Sequence, residues 1–235
     1  MSWLSADRLR LLVPALSLAV LLAAVFWMQP RTMSYTGLNL LFNLAVPIAL
    51  ATIAQMLIMT VNDLDLSMGT FVSFVACVTA TFLQSDPLVG GLILLGCIGV
   101  YAALGVIIHL RNLPSIVVTL GMSFVWGGLA VLLLPSPGGV APDWIRWLMT
   151  SKPPLVPMAI VASVAIALVA HFIIMRSAFG VVIRGVGGNQ RSVERAGWSV
   201  LRARAATYAL AGTFAVLAGI SCTARGFRAV LDRSD

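Results

Sequence analysis

Apolar residues fill this chain in runs about as long as a bilayer is thick, and that spacing excludes most other folds. Seven runs cover positions 9–28, 37–60, 66–83, 88–110, 114–134, 155–175 and 204–224. A helix needs about 20 predominantly apolar residues to cross a hydrocarbon core. Between the runs lie short breaks of turn-forming and charged residues, such as Gln29-Pro30-Arg31, Gln84-Ser85-Asp86-Pro87 and Arg111-Asn112, and one longer stretch, 135–154. With 60% hydrophobic residues, 10% charged residues and a mean hydropathy of +1.01, the chain is too apolar for one water-facing core. Lipid must be its solvent, with backbone polar groups satisfied inside helices. The expected fold is all-α: a polytopic transmembrane helix bundle of about seven spans, forming a single domain over residues 1–235.

Charge orients the bundle. If the N-terminus is cytoplasmic and the runs alternate, the inner side receives Arg8, Arg10, Arg111, Arg176, Arg184, Arg191, Arg195, Arg202 and Arg204, while the outer loops receive Arg31, Arg146 and Lys152. That asymmetry is what basic residues retained on the cytoplasmic side produce, and the opposite orientation inverts it. The run at 11–28 is longer than a signal-peptide core and has no small-residue cleavage site after it, so it reads as a first membrane helix. One feature does not fit: seven crossings put Arg225, Arg228 and Arg233 outside. The net charge of +7 does not point to nucleic acid, because the basic residues form short clusters between apolar runs rather than a stripe interleaved with aromatics.

Enzyme chemistry finds no foothold. Cys77, Cys97 and Cys222 lie in apolar runs without metal-like spacing and read as small buried hydrophobes. His109 and His171 sit near the ends of apolar runs as interfacial residues. There is no Ser-His-Asp set, metal cluster or phosphate-binding loop. No metal or cofactor is expected, and ATP coupling would have to be borrowed from another chain.

Three polar stretches stand out. In the first, Asn189 is a good N-cap and Gly197 a good left-handed C-terminus for a helix of about two turns over 190–196. Its surface carries Arg191, Glu194 and Arg195, and Gly187 and Gly188 precede it. This reads either as a solvated turn between spans or as a rigid knob that a cytoplasmic partner grips. In the second, Asn62, Asp63, Asp65, Ser67 and Gly69 interrupt two long apolar runs, where ionisable groups usually mark a function or a loop. The carboxylates, two positions apart, are expected to face opposite sides of an extended chain, which suits a helix break better than a catalytic pair. Ser67, alone or with Asp65, would N-cap the next helix; the alternative is a place on a translocation path. In the third, Pro114 opens a run that carries Thr119 and Gly121, which either pack helices closely or face such a path. Asn43 and Gln55 are further polar candidates for the path.

These stretches, in this order, resemble the membrane permease subunits of bacterial ATP-binding-cassette importers for ribose, xylose and related monosaccharides. Asn62-Asp63-Leu64-Asp65-Leu66-Ser67-Met68-Gly69-Thr70 is similar to that family's Gly-Gly-Ile-Asp-Leu-Ser-Val-Gly-Ser. Pro114-Ser115-Ile116-Val117-Val118-Thr119-Leu120-Gly121-Met122 is similar to its Pro-Ser-Phe-Ile-Val-Thr-Leu-Gly-Met, with one residue fewer before the threonine. The stretch 180–189 matches Gly-x-x-x-x-Ala-Val-Gly-Gly-Asn, with Gly185 where alanine is usual, and Ala211-Gly212 and Leu217-Ala218-Gly219-Ile220 are also similar.

The likeness covers roughly 37–224. It implies that 187–197 is a coupling helix docking into a cytoplasmic ABC ATPase, that a periplasmic substrate-binding protein delivers the substrate, and that two permease chains, expected as a homodimer, enclose the route in the bacterial inner membrane. Two departures accompany it. Asn62-Asp63 replaces a glycine pair and adds a charge near the expected path. The family also continues through further membrane segments, whereas this chain ends in a basic tail, so a truncated product is expected, with or without transport activity. A permease for branched-chain amino acids or nucleosides, a channel or scaffold, and a membrane-embedded enzyme are the rival readings.

Overall fold

The computed structural model describes residues 6–135, 142–144, 147 and 158–226. Among these residues the chain is helical throughout its ordered elements, without a strand. In order they are α1 (Ala6–Met28), a 3-10 turn (Pro30–Met33), α2 (Tyr35–Thr60), α3 (Met68–Val78), α4 (Pro87–Arg111), α5 (Ser115–Leu133), α6 (Met158–His171), α7 (Ala178–Gly188), α8 (Gln190–Arg195) and α9 (Val200–Gly226). α3 and α6 each run on into a π-turn, Thr79–Leu83 and Phe172–Arg176. Arg146, Lys152 and the tail with Arg228 and Arg233 lie outside the described residues.

Each of the seven apolar runs is largely helical where it is described, but they are not equal. Four helices, α2, α4, α5 and Val200–Thr223 of α9, are long and apolar enough to span alone. A fifth span requires counting α6 with its π-turn and α7 together, and these meet at a bend of 66°. Leu12–Met28 and Met68–Leu83 are shorter apolar helices; the latter begins late because residues 61–67 form a non-helical connection.

The bundle is built around α9, which packs on α4, α2 and α3. Close approach depends on small residues meeting large ones. A Cβ added to Gly105 of α4 would lie 2.8 Å from the Tyr208 ring, and one added to Gly212 of α9 would lie 2.9 Å from Tyr101 Cβ. The two helices therefore interlock, each glycine receiving the other helix's tyrosine, the packing mode that serves where no water drives association. Phe71, Tyr101 and Trp126 continue the core, with ring centroids 4.4 and 5.0 Å apart. Outward faces are apolar too: Leu95, Phe124, Leu132 and Leu168 are all well exposed, as lipid-facing side chains must be. Cys97 is buried and Cys77 half-buried, but Cys222 is exposed, so it does not share the core role expected of all three.

The bend before α7 has a local cause. Ser177 leaves the helical conformation and caps α7 by accepting from the Gly180 N–H at 2.9 Å, while its hydroxyl donates to the Ile173 carbonyl. Gly180 sits so close to the Ile174 carbonyl that a Cβ there would collide with it.

Candidate functional site: a docking helix and a polar junction at one end of the bundle

Three connections gather at one end of the bundle: residues 61–67, residues 112–114, and α8 with the start of α9. Asn62, Asp63, His109, Asn112, Gln190 and Arg204 line a common cleft of about 300 Å³ there.

Each connection opens with the same backbone device. Asn62 (φ 62°), Asn112 (φ 48°) and Gly197 (φ 83°) are left-handed. After α2, the Asn62 N–H donates to Met59 O and the Asp63 N–H to Ile58 O. After α4, the Asn112 N–H donates to His109 O and the Leu113 N–H to Ile108 O. After α8, the Gly197 N–H donates to Glu194 O and the Trp198 N–H to Val193 O. These paired bonds satisfy the last carbonyls of a helix and stop it sharply. Asn62, a candidate for the path by sequence, thus also terminates α2, a position that asparagine tolerates better than most residues.

α8 forms as its sequence demands. The Ser192 N–H donates to Asn189 Oδ1 at 3.2 Å, and Gly197 closes the other end. Val193 is buried against α7, where a Cβ on Gly185 would lie 2.9 Å from its Cγ2. Arg191, Glu194 and Arg195 remain exposed. The glycines before α8 do not form a loop, because α7 runs helically through Gly188. Gly187 lies against the Thr60 carbonyl at the end of α2, too close for any Cβ, whereas Gly188 has open space. α8 is thereby seated on α7, and α7 on α2.

Residues 63–65 run without helix or turn between the left-handed Asn62 and the bend into α3, and burial alternates along the connection: Val61, Asp63, Asp65 and Ser67 are buried, Asn62, Leu64 and Leu66 exposed. The two carboxylates therefore face the same side, inward, as the period of two in extended backbone dictates, and the expectation of opposite sides was wrong. They still do not act as a pair, since each has its own partners. Asp63 Oδ2 lies 3.4 Å from Arg204 Nη1 and accepts from Tyr208 Oη at 3.2 Å. Burial pushes the Asp63 carboxyl above the usual carboxylate range, with the Arg204 cation and the Tyr208 hydroxyl pulling it down.

Asp65 Oδ1 accepts from both the N–H and the hydroxyl of Ser67 at 2.7 Å, and Oδ2 accepts from Tyr101 Oη at 2.8 Å. This corrects the capping expectation: the Ser67 side chain makes no cap bond to α3, because its hydroxyl is turned to Asp65.

Thr119 is fully buried and ties the extended segment to α5. Its hydroxyl accepts from the Leu66 N–H at 3.1 Å and lies within donating distance of Leu64 O and Ser115 O, while Ser115 Oγ accepts from the Leu64 N–H at 3.0 Å. The segment thus receives from α5 side chains the bonds a neighbouring strand would supply. Replacing Thr119 by valine is expected to destabilise the folded chain by about 2 kcal/mol, a buried N–H losing its acceptor, which thermal unfolding in detergent will measure.

The remaining candidates lie apart. Asn43 is buried on α2, its amide donating to Asn39 Oδ1 at 3.1 Å, and its own Oδ1 has no protein partner among the described residues. The same holds for Gln55 Oε1. Gly69 and Gly121 are exposed with open space beside them, so neither packs helices closely within this chain. Sequence reasoning missed Tyr101, Tyr208 and Ser115 and took Arg204 only as a topology marker. Asn39, four residues before Asn43 on α2, was the one such residue with a readable signal, since that spacing shares a helix face.

Fold and site together define a multi-pass α-helical membrane protein that holds out one rigid surface helix at the end where its polar connections meet. Residues 37–232 match the family described as "Branched-chain amino acid transport system / permease component", and the chain belongs to that family. Its long apolar helices accord with a multi-pass membrane protein of that family. It is 27% identical over 173 residues to the D-allose transport system permease protein of Escherichia coli (strain K12), covering 70% of this chain and 52% of the relative. To the galactofuranose transporter permease protein of that strain it is 26% identical over 214 residues, 85% of this chain and 60% of the relative. To its ribose import permease protein it is 26% identical over 221 residues, 89% and 68% respectively. The chain thus spans between about half and two thirds of these relatives. No solved structure matches it.

Proposed function

We propose that this chain is the membrane permease subunit of an ATP-binding-cassette importer that moves a monosaccharide across the inner membrane. The observation that carries this reading is α8, a two-turn helix capped at both ends, backed by α7 and α2, with its charged face free. Such construction suits force transmission better than mere connection. Gly187, Gly188, Asn189, Arg191, Glu194, Arg195 and Gly197 then form the coupling element, gripped by a cytoplasmic ABC ATPase that supplies the ATP site.

The N-terminus is cytoplasmic in this reading, because the end bearing α8 also bears Arg111, Arg184, Arg191, Arg195, Arg202 and Arg204, the side on which basic residues are retained. A periplasmic binding protein delivers substrate on the opposite side, and a second copy of the chain completes the route.

Three matched relatives are named for allose, galactofuranose and ribose transport, which favours a sugar over the amino acids in the family's description. The spans agree physically: α2, α5 and α6 contain no Asp, Glu, Lys or Arg, so a zwitterion would find no fixed charge partner along them. A neutral sugar needs only polar groups such as Asn43, Gln55 and Thr119.

Co-expression with an ATPase encoded beside it, followed by affinity capture, tests the reading. Asn189→Ala removes a cap contributing about 1 kcal/mol, so capture should weaken about fivefold, and Glu194→Ala should weaken it without altering stability. An unmutated chain that is stable in detergent yet captures no ATPase would sink the proposal.

A further inference from the structure

We propose that Asp63, Arg204 and Tyr208 form a latch that passes displacement of α8 to α3, α4 and α5 through the connecting segment 61–67. This rests on reading α8 as the coupling helix and adds the residues by which its motion reaches the membrane helices.

Four residues after α8 the chain enters α9, whose first turns carry Arg204 and Tyr208. Both bind one oxygen, Asp63 Oδ2. Asp63 belongs to a segment whose next residues are bonded elsewhere: Leu64 to Ser115, Leu66 to Thr119, and Asp65 to Tyr101. One short connection thus holds α9 at one residue and α5 and α4 at the following three. It leads straight into α3.

The pair suits a transmitting role. The Arg204 and Asp63 side chains are 11% and 8% exposed, so water screens them little, and separating them strands two charges in a poorly solvated place. Such a contact moves as a unit or breaks; it does not stretch. The Asp63 carboxylate is engaged by Arg204 and Tyr208, and in this proposal Asp63 acts as a positioning residue.

Hydrogen exchange of the whole chain in detergent tests the latch without any partner. Arg204→Met is expected to speed exchange of the 63–66 amides about tenfold, and Asp63→Asn to do the same for residues 198–204, each change acting on the opposite element. The exchanged pair Asp63→Arg with Arg204→Asp should restore much of the protection in both. Changes confined to the mutated element, or a double variant no better than the sum of the singles, would overturn the latch.

With the ATPase and binding protein in proteoliposomes, Asp63→Asn should still capture the ATPase but move several-fold less sugar per ATP hydrolysed. An unchanged ratio would overturn the transmitting role. Failure of the unmutated chain to capture the ATPase would instead remove the coupling-helix reading, and the exchange experiment would still decide whether the latch exists.

Discussion

Gly187→Ala is expected to unseat α7 from α2 and lower the stability of the detergent-solubilised chain by about 3 kcal/mol, the upper range for overpacking. The obstacle is backbone. Gly187 abuts the Thr60 carbonyl, which belongs to the last turn of α2, and a Cβ there would also lie 3.4 Å from the Asn62 amide nitrogen. No rotamer change relieves such a clash, so α7 must lift away and carry α8 with it. Gly188→Ala is the natural control. It adds the same methyl one position later in open space, where replacing a helical glycine is neutral or stabilising by up to about 1 kcal/mol. Thermal unfolding of the two variants should therefore diverge, and ATPase capture should fall only for the first. Equal stability of the two would refute the seating of α7 on α2.

How much of this was legible in the sequence depends on how local the determining contacts are. α8 could be read residue by residue, because an asparagine N-cap and a glycine C-terminus act within one turn of themselves. The apolar runs could be read for the same reason, each segment's preference for lipid being its own property. α7 could not. Gly180, Gly185, Gly187 and Gly188 argue against a helix by propensity, yet the first three permit its contacts with Ile174, Val193 and Thr60. Packing overrode propensity, and the glycine-rich stretch before α8 is a helix that supports it.

The polar junction was half legible. Two carboxylates between apolar runs announced a special segment, and the segment is special. Its partners lie 36 residues away for Asp65 with Tyr101 and 145 away for Asp63 with Tyr208, distances that no spacing rule bridges. The orientation of the pair was nonetheless available from elementary geometry, since alternate residues of an extended chain share a side. With both carboxylates placed inward, the search for buried partners would have turned to the tyrosines and arginine of the neighbouring helices.

Asp65→Ala follows from that geometry as the most damaging single change at the junction. One buried carboxylate accepts three hydrogen bonds, from the Ser67 N–H, the Ser67 hydroxyl and Tyr101 Oη. Removing it strands all three donors, with Tyr101 itself fully buried between Phe71 and Gly212. The expected cost is about 4 kcal/mol, given 1–3 for each buried polar group left unpaired and some relief from the Ser67–Tyr101 contact at 3.3 Å. Asp65→Asn keeps one acceptor oxygen and should cost about 2 kcal/mol, while Tyr101→Phe removes a single donor and keeps the ring packing, costing about 1–2 kcal/mol. Because the two residues share a bond, the double variant Asp65→Ala with Tyr101→Phe should be less destabilised than the sum of its parts. Denaturation in detergent measures all four. A residue whose task is to meet a passing sugar would give the reverse pattern, with unfolding unchanged and the KM for uptake raised, and that result would move Asp65 from the frame of the bundle onto its route.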